Sequence, residues 1–262
     1  MSLPLYWVDA FTDTVFTGNP AGVVPLERWA DDALMQRIAF ENGLSETAFF
    51  VRTAEDRYHL RWLTPTTEVD LCGHATLAAA FVIFTQLGFA GDVLTFDSRS
   101  GPLLVTRLAD GRLELDFPVE PAEPAGIPED LTRALGRVPI AVLRSRTRWL
   151  CLYSCATDIL ALEPDHGLLR KIVPGRITIT APGDDCDFVS RTFVPAVGIP
   201  EDPVTGSAHC TLVPYWSGRL GKKRLHARQV SARGGELWCE QAGDRVKIAG
   251  YCTLYLKGEI DL

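Results

Sequence analysis

Two stretches of the sequence, residues 61–76 and 191–208, repeat one order of residue types. In each, an Arg stands four residues before a Pro, an acidic residue follows, and a Gly then precedes an apolar stretch of helical character. This Gly is Gly73 in the first stretch and Gly206 in the second. Because the first N–H groups of a helix lack partners within the helix and carry partial positive charge, two such helix starts aimed at one cleft would bind an anion.

Each repeat carries polar side chains that could do chemistry beside its Gly. His74 would lie in the first turn of its helix, where an imidazole either transfers protons or packs against neighbouring strands. Asp202 and Ser207 leave a similar choice, since Asp-Pro followed by Thr-Gly-Ser is also typical of a turn and helix N-cap. Their occurrence in both halves favours the functional interpretation.

A further candidate for proton transfer is Glu46, in a strand-like segment at residues 45–51. Alternation along a strand would put Glu46 on one face with Ala48 and Phe50. If that face is buried, the carboxyl pKa should rise, which suits a group that takes and returns a proton near neutral pH. If the face is the solvent side, Glu46 is merely solvated, and the local pattern leaves both possibilities open.

The composition excludes several classes of function. With 47% apolar and 23% charged residues, the composition resembles that of a soluble globular protein. The net charge of −7 does not fit a nucleic-acid-binding protein, which needs an excess of basic residues. No export signal begins the sequence, and the longest apolar run is too short to span a bilayer, so we expect a cytoplasmic protein without membrane contact. The seven cysteines show neither a disulfide nor a zinc spacing. Glycine-rich nucleotide loops are also absent, so we expect no cofactor and no metal.

The pattern of elements predicts an α+β fold with two domains. A helix should run from Asp31 or Asp32 to about Asn42, and an apolar, enclosed helix should follow Gly73. The second helix contains Pro214, so it should be shorter or kinked. Many short strands around one buried helix per half do not alternate as a parallel doubly wound sheet requires. The proline-rich residues 118–129 predict a linker between domains at residues 1–117 and 130–262, and the last strand could return to the first domain.

Four motifs, taken in order, resemble one known family. They are Asp9-Ala-Phe-Thr with Phe16-Thr-Gly-Asn-Pro-Ala-Gly, Ser45-Glu-Thr-Ala-Phe, Thr64-Pro-Thr-Thr-Glu-Val-Asp-Leu-Cys-Gly-His-Ala-Thr, and Gly198-Ile-Pro-Glu-Asp-Pro-Val-Thr-Gly-Ser-Ala. The chain is similar in these motifs to the PhzF family of phenazine-biosynthesis-like isomerases. The resemblance implies the diaminopimelate epimerase fold: two similar domains, each a mostly antiparallel, barrel-like sheet around a central helix, with the active site in the cleft between them. It also implies a homodimer.

The resemblance assigns roles to particular residues. Glu46 corresponds to the proton-shuttling acid/base, and His74, Asp202 and Ser207 to residues that bind the substrate and assist the transfer. Substrate contacts are also implied for Asn19, and donors to a substrate carboxylate for the backbone at Gly73 and Gly206. The best-understood family reaction isomerises trans-2,3-dihydro-3-hydroxyanthranilate by moving a proton between ring carbons without a metal or organic cofactor.

Two other functions compete with a carboxylate-driven isomerase. A racemase or epimerase of the related fold uses one thiol from each half, and Cys72 could supply the first. The second repeat has no thiol in the corresponding stretch, and Cys210 would lie a turn inside the helix, so this mechanism is disfavoured and Cys72 is more simply a packed residue. A binding protein without activity would have no need of Glu46, His74 and the second-half residues together.

Overall fold

The computed structural model describes residues 2–262. The first eight strands and two helices are, in chain order, β1 (Ser2–Ala10), β2 (Asn19–Leu26), α1 (Asp32–Asn42), β3 (Glu46–Arg52), β4 (Arg57–Leu63), β5 (Glu68–Val69), α2 (Gly73–Thr85), β6 (Val93–Ser98), β7 (Gly101–Arg107) and β8 (Leu113–Pro118). The elements that follow are β9 (Glu123–Ala125), α3 (Glu129–Leu135), β10 (Ala141–Arg144), β11 (Trp149–Leu152), α4 (Ala156–Leu160), α5 (His166–Leu169), β12 (Ile177–Pro182), β13 (Phe188–Val194), a 3-10 turn (Pro195–Val197), β14 (Ile199–Asp202), α6 (Gly206–Leu220), β15 (Arg224–Gln229), β16 (Gly235–Ala242), β17 (Arg245–Gly250) and β18 (Cys252–Asp261).

The chain forms two compact units. The first extends to Asp116 and includes Ala249–Leu262, while the second comprises Phe117–Ile248. Strand β18 pairs along the whole of β1 in the first unit. The second unit therefore begins earlier than residue 130, and the proline-rich residues 118–129 lie within it. That stretch holds β9, which pairs with β10 through Pro124 and its neighbours, as short peripheral strands tolerate proline.

Both units repeat one sequence of strand pairings. In the first, β1–β2 is antiparallel, β2–β3 parallel, β3–β4 antiparallel, β4–β6 parallel and β6–β7 antiparallel, with β5 added beside β4. In the second, β10–β11, β11–β12, β12–β13, β13–β15 and β15–β16 follow the same order, with β14 added beside β13. The doubled sequence motif therefore corresponds to a doubled topology, mostly antiparallel around one long helix in each unit.

The helices of the first unit follow local signals in the sequence. Asp31 caps α1 by accepting a hydrogen bond from the N–H of Ala33, and Gly43 ends the helix in the left-handed conformation at φ 62°. Met35 and Ile38 of α1 pack on Val24 and Phe49 of the adjoining strands. Helix α2 is buried on nearly every side, as its all-round apolar sequence predicts, and it ends at Thr85.

Of the two alternatives predicted from Pro214, a shorter helix and a kinked one, the length of helix α6 excludes the first. It has 15 residues against 13 in α2, so it is not the shorter helix, and Pro214 lies inside it. Proline cannot donate to the carbonyl four residues earlier, which belongs to Cys210. The backbone N–H of Glu120 donates to that carbonyl instead, at 3.0 Å. A segment distant in sequence thus supplies the missing hydrogen bond and lets the helix continue.

Among the described residues, no helix combines the length and the apolar character needed to cross a bilayer.

Candidate active site

Glu46 and His74 lie side by side in the first unit. Glu46 is the first residue of β3, and His74 is the second residue of α2. The Nε2 atom of His74 is 3.2 Å from Oε2 of Glu46, and the two side chains are only 6% and 14% exposed. Glu46 is therefore not a solvated surface carboxylate. A largely buried carboxylate held by an imidazole has the composition of an acid/base pair.

Asn19 fixes the other side of the imidazole. Its Nδ2 atom lies 3.2 Å from Nδ1 of His74, and both side chains are buried. An amide nitrogen only donates, so Nδ1 accepts and the ring proton of neutral His74 lies on Nε2, facing Glu46. Burial lowers the pKa of His74 to about 3, which keeps the ring neutral. The Nε2–H group of His74 thus lies beside the Glu46 carboxylate, with 3.2 Å between Nε2 and Oε2.

A strained loop delivers Asn19 to this position. Residues Phe11 and Phe16 have positive φ angles of 63° and 71°, which are uncommon for non-glycine residues. The buried Asp9 carboxylate accepts a hydrogen bond from the N–H of Phe16 at 3.0 Å and so holds the loop that precedes Asn19. Asp9 is thereby a structural part of the site.

Cys72 completes the cluster in the first unit. Its Sγ atom is 3.5 Å from Nδ1 of His74, and donor atoms of Glu46, Cys72 and His74 lie within 4.8 Å of one another. Oxygen, sulfur and nitrogen donors at such separations could hold Zn²⁺. This group could not be predicted from residue spacing, because Glu46 is remote from Cys72 along the chain. Proton transfer and metal binding would compete for the same carboxylate.

The start of α2 is suited to an anion. The N-cap residue Cys72 makes no side-chain hydrogen bond to the helix, and the first turn contains no acidic residue. Gly73 opens the helix next to His74. An uncapped helix N-terminus offers N–H donors and positive potential to a carboxylate or an enolate.

In the second unit, Asp202 belongs to a tight polar network. Its Oδ2 atom accepts a hydrogen bond from Oγ1 of Thr205 at 2.6 Å. Gln229 is fully buried and spans the turn: its amide oxygen accepts from the N–H of Thr205, and its amide nitrogen donates to the Asp202 carbonyl at 2.7 Å. The turn before α6 is therefore held rigidly, and with it the Asp202 carboxylate.

Ser207 is the second residue of α6, as His74 is the second residue of α2. Helix α6 also begins with a Gly, has no side-chain cap from Thr205, and has no acidic residue in its first turn. The Ser207 hydroxyl accepts a hydrogen bond from Nη2 of Arg148 at 3.2 Å. The start of α6 is thus suited to bind an anion, as the start of α2 is. It is formed by Gly206, Ser207 and the Asp202 turn.

The Arg and the acidic residue of each repeat have a structural role. Arg61 forms two hydrogen bonds with Glu68, at 2.9 and 2.7 Å, across β4 and β5. Arg191 forms two with Glu201, both at 2.8 Å, across β13 and β14. Such paired bonds have fixed geometry and hold the strand that leads into each long helix. The Arg and Glu residues of the doubled motif therefore stabilise the strands that position the site.

Two buried histidines should show opposite tautomers. His74 carries its proton on Nε2, whereas Nδ1 of His209 lies 2.9 Å from the Thr205 carbonyl and must donate to it. Burial lowers the pKa of His74 to about 3 and of His209 to about 4. Nitrogen-15 NMR should therefore find neither ring protonated between pH 8 and 5. The same tautomer for both, or titration near pH 6.5, would contradict the assignment.

These two residues should also destabilise the fold in mild acid. Each has an ordinary pKa of 6.5 that falls on folding, so the unfolded chain binds more protons below pH 6.5. Their contribution to the free energy of unfolding is complete above pH 6.5 and is lost as the pH falls towards 4, by up to about 1.4 kcal/mol per pH unit for each histidine. Denaturant titrations at several pH values measure the slope of the free energy of unfolding against pH. Between pH 6.5 and 4, the slopes of wild type and His209→Gln should differ by an amount that corresponds to about one proton.

The structure brings some of the sequence-predicted residues together within each unit. In the first unit, Glu46, His74, Asn19 and Gly73 adjoin; in the second, Asp202, Gly206 and Ser207 adjoin. Sequence reasoning missed Arg148 and Gln229, which lie outside the motifs. Nothing local marks either residue, because each reaches the site through contacts between segments far apart in the chain.

Comparisons with known proteins identify the family and the fold of the chain. The family model for phenazine biosynthesis-like proteins, PhzC-PhzF, matches residues 8–258. An uncharacterized isomerase of Pseudomonas aeruginosa is 50% identical over 262 residues, covering 100% of both chains. The crystal structure of a PhzF-family protein of Enterococcus faecalis has a TM-score of 0.97 at 46% identity, covering 100% of both chains.

A more distant structure shows how widely the fold is shared. A hydroxyproline epimerase from Agrobacterium vitis has a TM-score of 0.65 at 11% identity, covering 99% of this chain and 92% of its own. The α+β, diaminopimelate epimerase-like fold is thus common to proteins of divergent sequence. Because the family model matches nearly the whole chain and relatives of about half identical sequence cover all of it, the chain belongs to the PhzC-PhzF family of phenazine biosynthesis-like proteins.

Proposed function

We propose that the protein is a cofactor-independent isomerase in which Glu46 moves a proton between two carbons of a small carboxylate substrate. The observation that carries this proposal is the pairing of the Glu46 carboxylate with the neutral His74 imidazole, at 3.2 Å, beside the uncapped start of α2. The names of the close relatives, which include isomerases, support the reaction class.

The proposed step needs only one carboxylate. Glu46 takes a proton from a carbon next to a double bond, and the electron pair of the broken C–H bond spreads over the conjugated system as an enolate-like anion. Glu46 then returns the proton to the other end of that system, and the double bond shifts. The Nε2–H group of His74 stabilises the carboxylate form, and helix N–H groups stabilise the anion.

The remaining candidates have binding roles in this proposal. The N–H groups at Gly73 and Gly206 donate to negatively charged substrate oxygens, Asp202 and Ser207 orient polar substituents, and Asn19 fixes the His74 ring. Fixed donors cost little reorganisation at the moment of reaction, which favours the charge that develops.

The test is an NMR assay in D₂O with trans-2,3-dihydro-3-hydroxyanthranilate and a panel of β,γ-unsaturated carboxylates. We expect wild type to shift the double bond in at least one of them and to wash deuterium into the carbon that gains the proton. If wild type converted none of these compounds, the proposed isomerase function would be wrong.

A two-thiol racemase is the main alternative, and the position of Cys72 gives it a basis. The second thiol is the weak point, since burial raises the pKa of Cys210 to about 12, which leaves almost no thiolate at neutral pH. Cys72→Ser should therefore retain near-normal isomerisation. Loss of activity in that variant, together with racemisation of an amino acid by wild type, would favour the thiol mechanism; binding without turnover would favour a binding protein.

Removing metals should leave the activity unchanged. The proposed step requires the Glu46 carboxylate to be available, whereas a metal held by Glu46, Cys72 and His74 would occupy it. We expect dialysis against EDTA to change kcat by less than about twofold and added Zn²⁺ to inhibit. Inactivation by EDTA with recovery on adding Zn²⁺ would instead make the cluster a catalytic metal site.

From the resemblance we further propose a homodimer, and from the composition a cytoplasmic location. Sedimentation equilibrium at micromolar concentrations would measure the first and cell fractionation the second.

A further inference from the structure

Arg148 is a fully buried cation that the proposed reaction does not use. Its side chain is 0% exposed. Burial lowers its pKa to about 10, so the guanidinium still carries its charge at neutral pH. Arginine is rarely enclosed in this way unless it is well paired.

The pairing of Arg148 is incomplete within the described residues. Nη2 donates to the Ser207 hydroxyl at 3.2 Å and Nη1 to the Thr178 hydroxyl at 3.4 Å. The nearest carboxylate oxygen, Oε2 of Glu120, is 3.9 Å from Nε, and Nε has no hydrogen-bond partner among residues 2–262.

Glu120 is held by other donors. Its carboxylate accepts hydrogen bonds from the hydroxyl of Ser145 at 2.8 Å, and from the N–H and hydroxyl of Thr147 at 2.9 Å each. It is therefore fixed at a distance and gives Arg148 charge compensation without a direct hydrogen bond. A purely structural ion pair of this kind stabilises a fold poorly compared with an apolar side chain of the same size.

The location of Arg148 has a counterpart in the first unit. Asn19 opens β2 and contacts His74, the second residue of α2. Arg148 immediately precedes β11, the strand in the same place in the second unit, and contacts Ser207, the second residue of α6. In each unit, therefore, the residue at the start of the corresponding strand contacts the second residue of the long helix.

We propose that Arg148 is a positioning residue for Ser207. By donating to the serine oxygen, the guanidinium occupies one lone pair and leaves the hydroxyl proton to be donated to an anionic substrate at the start of α6. Its charge adds to the helix N-terminus and favours an oxygen anion there. This inference rests on the proposed binding role of Ser207.

A crystallographic test needs no substrate and is therefore independent of the proposed function. Crystal structures of wild type, Arg148→Met and Arg148→Lys would show the Ser207 rotamer. We expect one rotamer in wild type, with Oγ beside Nη2, and a different or divided rotamer in Arg148→Met. The lysine variant, which keeps one donor, should restore the wild-type rotamer. An unchanged single rotamer in Arg148→Met would overturn the proposal.

A double-mutant cycle of Ser207 and Arg148, measured with a substrate that wild type converts, gives a second test. Ser207→Ala should lower kcat by about a hundredfold, Arg148→Met by about tenfold to a hundredfold, and Arg148→Lys by less than about tenfold. The double variant should be no slower than Ser207→Ala, since both changes remove one interaction. Multiplying effects, or a normal kcat in folded Arg148→Met, would overturn the proposal. Arg144→Met is the matched control, because Arg144 is exposed and stacks on Trp149 in the same unit.

Discussion

Replacing Glu46 with Gln should lower kcat by about a thousandfold or more while leaving the protein folded. The amide has nearly the shape of the carboxylate but cannot take a proton, and general acid–base catalysis contributes about 10² to 10⁴ in rate. The loss should be in kcat more than in KM, because the amide still occupies the same space. Stopped assays with high enzyme concentration would measure the residual rate.

The control for this variant is Glu41→Gln, which makes the same chemical change on the exposed side of α1 in the same unit. We expect it to keep wild-type rates and a wild-type melting temperature. If Glu46→Gln retained more than about a tenth of wild-type activity, Glu46 would not be the base. Equal losses in both variants would point to a general effect of charge.

The second large effect is expected at His74. His74→Phe removes the Nε2–H group that faces Glu46 and the acceptor for the Asn19 amide, so it disturbs both contacts of the ring. We expect kcat to fall about a hundredfold, and the free energy of unfolding to fall by about 1–3 kcal/mol because buried polar groups lose partners.

His74→Gln distinguishes donation from packing. Its amide can restore one of the two polar contacts of the ring, with Asn19 or with Glu46, so it should recover part of the lost stability and about tenfold of the lost rate. If Phe and Gln variants were equally active, the imidazole would serve only to fill space. Urea unfolding and steady-state kinetics on the same preparations would separate the two effects.

Local signals in the sequence predicted much of the frame of the site. Asp31 and Gly43 bound α1 because capping chemistry acts within a few residues, and Gly73 marks the start of α2 for the same reason. The likeness between residues 61–76 and 191–208 indicated a repeat, and the strand pairings of the two units follow one order. The burial of Glu46, which the local pattern left open, depends on strands that pack from elsewhere in the chain.

The features that could not be predicted depend on distant segments. Pro214 predicted a shorter or kinked helix, yet α6 has 15 residues, and the N–H of Glu120 satisfies the carbonyl that Pro214 leaves without a donor. Arg148 stands among charged and polar neighbours that are typical of an exposed turn, yet Thr178 and Ser207 enclose it. Gln229 likewise ends a strand with no motif around it and still holds the Asp202 turn. Contacts of this range leave no periodic trace in a single sequence.

If one carboxylate both takes and returns the proton, an isotope taken from the donor carbon should reach the acceptor carbon. A substrate deuterated at the donor carbon is converted in H₂O in a single turnover, and mass spectrometry with NMR locates the label in the product. Because the Glu46 side chain is only 14% exposed, we predict that a measurable fraction of the deuterium appears at the acceptor carbon before exchange with solvent. A product with no transferred deuterium would contradict proton return by a carboxyl group that is shielded from solvent exchange.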